Sequence, residues 1–154
     1  MEITVLKKRS DLKANTSVSK YYLQFVHFID LIREKQLSEP VVQSINTHID
    51  KINAIEDSDK KLKAELRKSQ NELLKLLIKE NNLVTKNYYR NTWMMIGMGA
   101  IGVPIGTSFG VLTKNMGLIA IGLPFGMIVG LLVGLKLDRK AAHAGNQLDI
   151  EIKY

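Results

Sequence analysis

The sequence predicts an all-α membrane protein: amphipathic cytosolic helices joined to a two-helix transmembrane hairpin, with short β-strand signals at its two ends. Three observations predict it. Trp93–Leu112 and Met116–Leu135 are each twenty residues long without a charge. Only Thr113, Lys114 and Asn115 separate them. Ahead of them, apolar residues recur three and four apart along polar-rich stretches, the period of a helix with one buried face.

The chain's average hides two unlike parts. Of its 154 residues, 1–90 hold 17 Lys/Arg and 12 Asp/Glu, whereas Lys114 is the one charge between Asn91 and Leu135. Ten of the eleven glycines lie from Gly97 to Gly134. This sets out a cytosolic helical domain over 1–90, a hairpin over 91–136 and a cytosolic tail over 137–154. The net charge of +7 is compatible with nucleic acid, an anionic membrane surface, or no specific partner. The absence of cysteine excludes a disulfide framework and a thiol nucleophile.

"EITVLKK" alternates Ile3 and Val5 with polar residues and predicts a strand over 2–8. Tyr22, Phe25, Ile29 and Ile32 predict a helix over 17–37. Ser38 as N-cap and Pro40 in the first turn open a second helix, 40–56, with Val42, Ile45, Ile49, Ile52 and Ile55 on one face. Ser58 and Asp59 cap a third, 59–90, carrying Leu62, Leu66, Leu73, Leu76, Leu77 and Leu83. Nothing in "NNLVTKNYYR" reads as a clear stop, which leaves open a continuous rod into the apolar run. Three such stripes call for a small bundle or a coiled-coil-like assembly. "QLDIEIKY" alternates again, so the two terminal strands could pair with each other or across subunits.

Twenty apolar residues are the length that crosses about 30 Å of hydrocarbon, and a three-residue link makes the spans 93–112 and 116–135 a tight antiparallel hairpin. Lys86, Arg90, Lys136, Arg139 and Lys140 flank one end and Lys114 the other. The positive-inside tendency puts both termini in the cytosol, at the inner membrane. Tyr88, Tyr89 and Trp93 suit the interface at that boundary, and Lys114 would snorkel at the tip.

"AIGVPIGTSFGVL" from Ala100 aligns with "AIGLPFGMIVGLL" from Ala120 at an offset of twenty, pairing Gly102/Gly122, Pro104/Pro124, Gly106/Gly126 and Gly110/Gly130. With the turn near Lys114, Gly106 should sit level with Gly122, and Gly102 with Gly126. Small residues four apart let helix backbones approach closely in lipid, where hydrophobicity adds little to association. Gly102, Gly106, Gly110, Gly122, Gly126, Gly130 and Gly134 are therefore the expected packing residues, and Pro104 and Pro124 the expected kinks on the opposite faces. These segments resemble the glycine-zipper transmembrane segments of small bacterial membrane proteins, which include pore-forming and oligomerising members. The resemblance implies helix packing through those glycines and carries no single function.

Other motifs read blandly. "GMGAIG", from Gly97, has the letters of a dinucleotide loop but lies inside an apolar span. The sequon at Asn15 would face the cytosol. His27, His48 and His143 sit in separate segments with no partner at metal spacing. No carboxylate pair, Ser–His arrangement or phosphate loop stands out, so an enzyme, a cofactor and a metal are not expected. The charged face in "DKKLKAELRKSQ" reads as solvated, and nucleic acid is not an expected partner. Thr107 and Ser108, the polar residues deep in a span, should bond their own backbone. The expected partners are the bilayer, further copies of the chain, and a soluble protein on the cytosolic side. The expected function is an oligomeric inner-membrane effector of the toxin, holin-like or phage-defence type, permeabilising under control of its cytosolic helices. The alternative is a membrane-anchored adaptor or scaffold, or an accessory or immunity subunit.

Overall fold

A computed structural model describes residues 2–9, 16–56 and 59–152. Asn15 and Ser58, named above, and the last two residues of the alternating "QLDIEIKY" lie outside them. The described chain is mostly helical and forms two units, Met1–Val84 with Leu148–Tyr154, and Thr85–Gln147.

The first unit holds α1 (Ser17–Arg33), α2 (Glu39–Asn53) and α3 (Asp59–Asn81). Thr16 caps α1, its Oγ1 accepting the Ser19 N–H at 3.2 Å. Ser38 adopts the extended cap conformation before α2, and Pro40 fits its first turn because the N–H it lacks has no helical acceptor there. The predicted stripes meet in one core. Phe25, Phe28, Ile29 and Ile32 of α1 pack with Ile45, Ile49 and Ile52 of α2 and with Leu62, Leu66, Leu73 and Leu77 of α3. Each such side chain, fully removed from water, stabilises the unit by about 1.5–3 kcal/mol. Leu148 and Ile150 from the C-terminal tail join the same core.

The boundaries differ from those expected. The third helix stops at Asn81 rather than running to 90, and it is not continuous with the apolar run. Asn82 takes φ 53°, the left-handed conformation that ends helices and that asparagine tolerates better than most residues. The Leu83 N–H then turns back to the Leu77 carbonyl at 3.1 Å. α1 likewise ends at Arg33, before 37.

The strand expected over 2–8 is absent; those residues are extended but unpaired with any strand. Instead Ile3, Leu6 and Arg9 are half-buried and the residues between them exposed, a period of three rather than two. The two-stranded ladder that does form joins β1 (Val84–Thr85) to β2 (Gln147–Leu148). The terminal strand signals therefore do not pair with each other, and β1 lies where the third helix was expected.

The second unit contains two long apolar helices, α4 (Tyr88–Leu112) and α5 (Met116–His143), both long and apolar enough to cross a membrane. α4 is interrupted by a π-helical turn at Met98–Gly102, and α5 opens with a 3-10 turn at Met116–Leu118. Between them the chain reverses with Lys114 at φ 54°. The Asn115 N–H donates to Gly110 O at 2.9 Å and the Lys114 N–H to Val111 O at 3.2 Å, which closes α4 in a Schellman motif. The Asn115 side chain then caps α5 by accepting the Gly117 N–H. α5 closes in the same way over Gly145, at φ 72°, with Asn146 N–H on Ala141 O at 3.0 Å.

Candidate functional site

The hairpin is built inside out. The residues buried along α4 are Gly97, Gly102, Gly106 and Gly110, and along α5 Gly122, Gly126, Gly130, Gly134 and Asp138. Large apolar side chains, among them Met95, Phe109, Leu112, Phe125, Ile128 and Leu132, are exposed. In each helix's apolar window only 22% is buried, where the core helix of a soluble protein would be mostly covered.

Most glycines on the inner edge face backbone of the other helix. A Cβ on Gly122 would meet Gly106 Cα at 2.6 Å, and one on Gly126 would meet Gly102 Cα at 2.7 Å. On Gly130 it would meet the Trp93 carbonyl carbon at 2.8 Å, and on Gly134 Arg90 Cα at 2.5 Å. From the α4 side, Gly102 would strike Gly122 O at 2.9 Å, and Gly106 would strike Ile119 Cα at 2.9 Å. Gly110 is looser, with Ile119 and Met116 side-chain atoms at 3.4 Å. Real Cβ atoms essentially never approach within 3.0 Å, so most of this edge admits only glycine.

Gly97 belongs to the edge as well, although the four-residue spacing does not reach it. It precedes Gly102 by five residues, about 140° round a straight α-helix. The π-turn at Met98–Gly102 absorbs the extra residue: the Val103 N–H donates to Met98 O, five residues back. Gly97 consequently faces α5, where an added Cβ would collide with Gly126 O and come 2.9 Å from Gly130 Cα. The same turn precedes Pro104, which has no N–H to offer the Ala100 carbonyl. Pro124 is accommodated differently, inside an α-helix that continues unbroken. Both prolines are exposed, away from the glycine edge. The offset-twenty repeat also equates Gly97 with Gly117, yet Gly117 lies in the tip turn.

The hydroxyls in the apolar part of α4 bond to the helix's own backbone. The hydroxyls of Thr107 and Ser108 both donate to Pro104 O at 2.9 Å, and Thr113 donates to Phe109 O at 2.7 Å. The N-terminus of α4 is preceded by Asn87, at φ 62°, whose side chain makes no cap bond. Asp138 of α5 supplies the cap instead: one carboxylate oxygen accepts the Tyr89 N–H at 3.0 Å and the other the Arg90 N–H at 2.9 Å. A carboxylate there meets both the orphan donors and the positive end of the helix dipole. Sequence reasoning passed over Asp138 among its basic neighbours. The signal was that no other carboxylate occurs between Glu80 and Asp149.

Lys114, Lys136, Arg139 and Lys140 are exposed, while Tyr88, Tyr89 and Trp93 are half-buried. Tyr88 and Tyr89 meet edge to face, 5.2 Å between ring centres. The letters of "GMGAIG" fall in helix, with Gly99 facing open space.

In the first unit, the fold brings together a Ser–His pair that the sequence did not reveal. His48 Nδ1 lies 3.0 Å from Ser69 Oγ, and Nε2 lies 3.5 Å from a Glu72 carboxylate oxygen. Burial lowers the His48 pKa, with Glu72 opposing that shift. Ser69 has no exposed surface and His48 almost none, so the Ser–His pair is a buried polar contact between α2 and α3, with Glu72 at its exposed rim. Among the described residues no three His, Asp or Glu side chains are grouped to hold a metal ion. Comparison with protein-family models, curated proteins and solved structures finds no match for this chain.

Proposed function

We propose that the chain is a membrane-anchored docking protein: α4 and α5 cross the inner membrane as a self-contained hairpin, and the helical bundle works on the cytosolic side. The observation that carries this reading is the occupancy of the glycine edges. Gly97, Gly102, Gly106, Gly122, Gly126, Gly130 and Gly134 all face the other helix of the same hairpin. They are therefore not available to zip one copy to another, as a glycine-lined pore would require. The exposed apolar side chains suit lipid, and the basic cluster of Lys136, Arg139 and Lys140 suits the cytosolic headgroups.

A permeabilising effector is the second reading, and the π-turn at Met98–Gly102 favours it. Such turns are uncommon, recur at functional sites, and give a helix a place to change register. Dye-loaded vesicles of anionic and zwitterionic lipid separate the two. The anchor partitions fully into the vesicles, resists carbonate extraction and releases no dye. Release by the wild-type chain that disappears in Gly122→Leu would establish the effector instead. Protease protection of both ends in spheroplasts tests the orientation.

A further inference from the structure

The extended segment before α1 is held as a bound peptide is held. Asn46 and Asn53 of α2 each bracket one residue of the segment, Ile3 and Leu6, holding the carbonyl before it and the N–H after it with the two ends of the side-chain amide. Asn46 accepts the Thr4 N–H at 2.7 Å and donates to Glu2 O at 3.0 Å. Asn53 accepts the Lys7 N–H at 2.9 Å and donates to Val5 O at 3.2 Å. The second contact repeats the first, three residues further along the segment.

The spacing has a geometric cause. Seven helical residues bring a side chain back to within about 20° of the same face and advance about 10.5 Å. Three residues of extended chain cover about 9.3–10 Å. Two asparagines seven apart on α2 therefore match an extended backbone in steps of three. Arg33 of α1 donates to Thr4 O at 2.9 Å, and the Tyr22 hydroxyl donates to Lys7 O, so the same two residues are also held from α1. The side chains that turn inward share the step: Ile3 and Leu6 pack against the core, and Arg9 donates to Ile52 O at 2.9 Å and to Ile55 O. Those carbonyls lie in the last turn of α2 and just past its end, where the helix dipole favours a cation. Val5, between them, is 73% exposed.

We infer that the face of α1 and α2 carrying Arg33, Asn46 and Asn53 is a docking site for an extended peptide, and that its occupant in trans is the N-terminal segment of a second copy of this chain. The site reads main chain at six atoms, four of them through Asn46 and Asn53, and selects side chains at three positions: aliphatic, aliphatic and arginine, each three residues after the last. Every other copy carries that pattern at Ile3, Leu6 and Arg9. The contacts are the same whichever copy supplies the segment, so exchange replaces one closed contact by an equal one between chains. This link between copies runs through the bundle and needs no glycine edge.

The test pairs two complementary full-length variants carrying different tags. One keeps the site but spoils the segment (Ile3→Asp with Arg9→Ala). The other keeps the segment but spoils the site (Asn46→Ala with Asn53→Ala). The two variants should co-purify when mixed in detergent, and neither should pull down its own differently tagged copy. A labelled peptide, MEITVLKKR, should bind the segment-spoiled variant about a hundredfold more tightly than the site-spoiled one, from the loss of four hydrogen bonds. Peptides carrying Leu6→Asp or Arg9→Ala should bind neither variant, a control that leaves protein folding untouched. Equal peptide binding by both variants, or no association of the complementary pair, overturns the inference. The measurement reads association in micelles, so it stands apart from whether the hairpin anchors or permeabilises.

Discussion

A single methyl group added at Gly122 would be driven against the backbone of Gly106, and there is no flexible side chain there to yield. Gly122→Ala and Gly130→Ala should each destabilise the hairpin by about 1–3 kcal/mol or more through overpacking. Gly99→Ala should be neutral or mildly stabilising, because a Cβ there meets nothing within 4 Å and alanine is the better helix former. Trp93, the chain's single tryptophan, has its carbonyl against Gly130, so its fluorescence during unfolding in mixed micelles reports the difference. Asp138 makes a separate prediction. Removing a buried carboxylate that accepts two backbone N–H groups should cost about 1.5–3 kcal/mol per charge-assisted bond. In Asp138→Ala the Tyr89 and Arg90 amides should lose most of their hydrogen-exchange protection, while amides deeper in α4 keep theirs.

At the scale of the element, the π-turn is a local solution to a spacing conflict. α5 carries glycines every four residues from Gly122 to Gly134, but α4 places Gly97 five before Gly102. Deleting Gly99 would convert the turn to regular α-helix and restore a four-residue step without moving either flank out of register. That deletion should keep the hairpin's Trp93 emission and thermal midpoint within a few degrees of wild type. Deleting Val129, between Gly126 and Gly130, should collapse both, because α5 has no π-turn to absorb the slip. The helix ends obey similar local rules. Asn82 and Lys114, each at positive φ, sit where glycine is usual; the stop at Asn82 went unannounced for that reason, whereas the uncharged runs on either side marked the turn at Lys114.

At the scale of the whole molecule, the first unit should be sensitive to acid through His48. Its folded pKa lies below the unfolded value of about 6.5, so the neutral imidazole stabilises the unit fully above that value. This contribution is lost as pH falls from about 6.5 through the lowered folded pKa, where the unfolded chain binds the proton first. Glu72 and Glu65 oppose the shift, and Lys51 and Lys68 reinforce it. The urea midpoint followed by far-ultraviolet dichroism should therefore drop across that window, and His48→Gln should flatten the drop. A midpoint that rises on acidification would contradict the sign.

Much of the fold was legible because its cause is periodic and local. Stripes of Ile and Leu at helical spacing define three helices, and two long uncharged runs define two more. The core residues Phe25, Ile45, Ile49, Leu66 and Leu73 follow from the same period. The period-two reading of Ile3 and Val5 failed because the segment lies on a helix bundle rather than in a sheet. A helix offers partners in steps of two turns, and three residues of extended chain fit that step.

What the amino-acid order determined by itself was therefore a composition boundary, the helical stripes, and a glycine edge on each apolar run. Tertiary structure alone decided who satisfies the backbone, Asp138 for the start of α4 and Asn46 and Asn53 for the N-terminal segment, and that a π-turn brings Gly97 to face α5. The physical reason is range. Burying an apolar face depends on spacing along a few turns, which a sequence displays, whereas an orphan N–H takes any acceptor that folding carries to it. For Tyr89 that acceptor stands 49 residues away, and no local pattern can mark it.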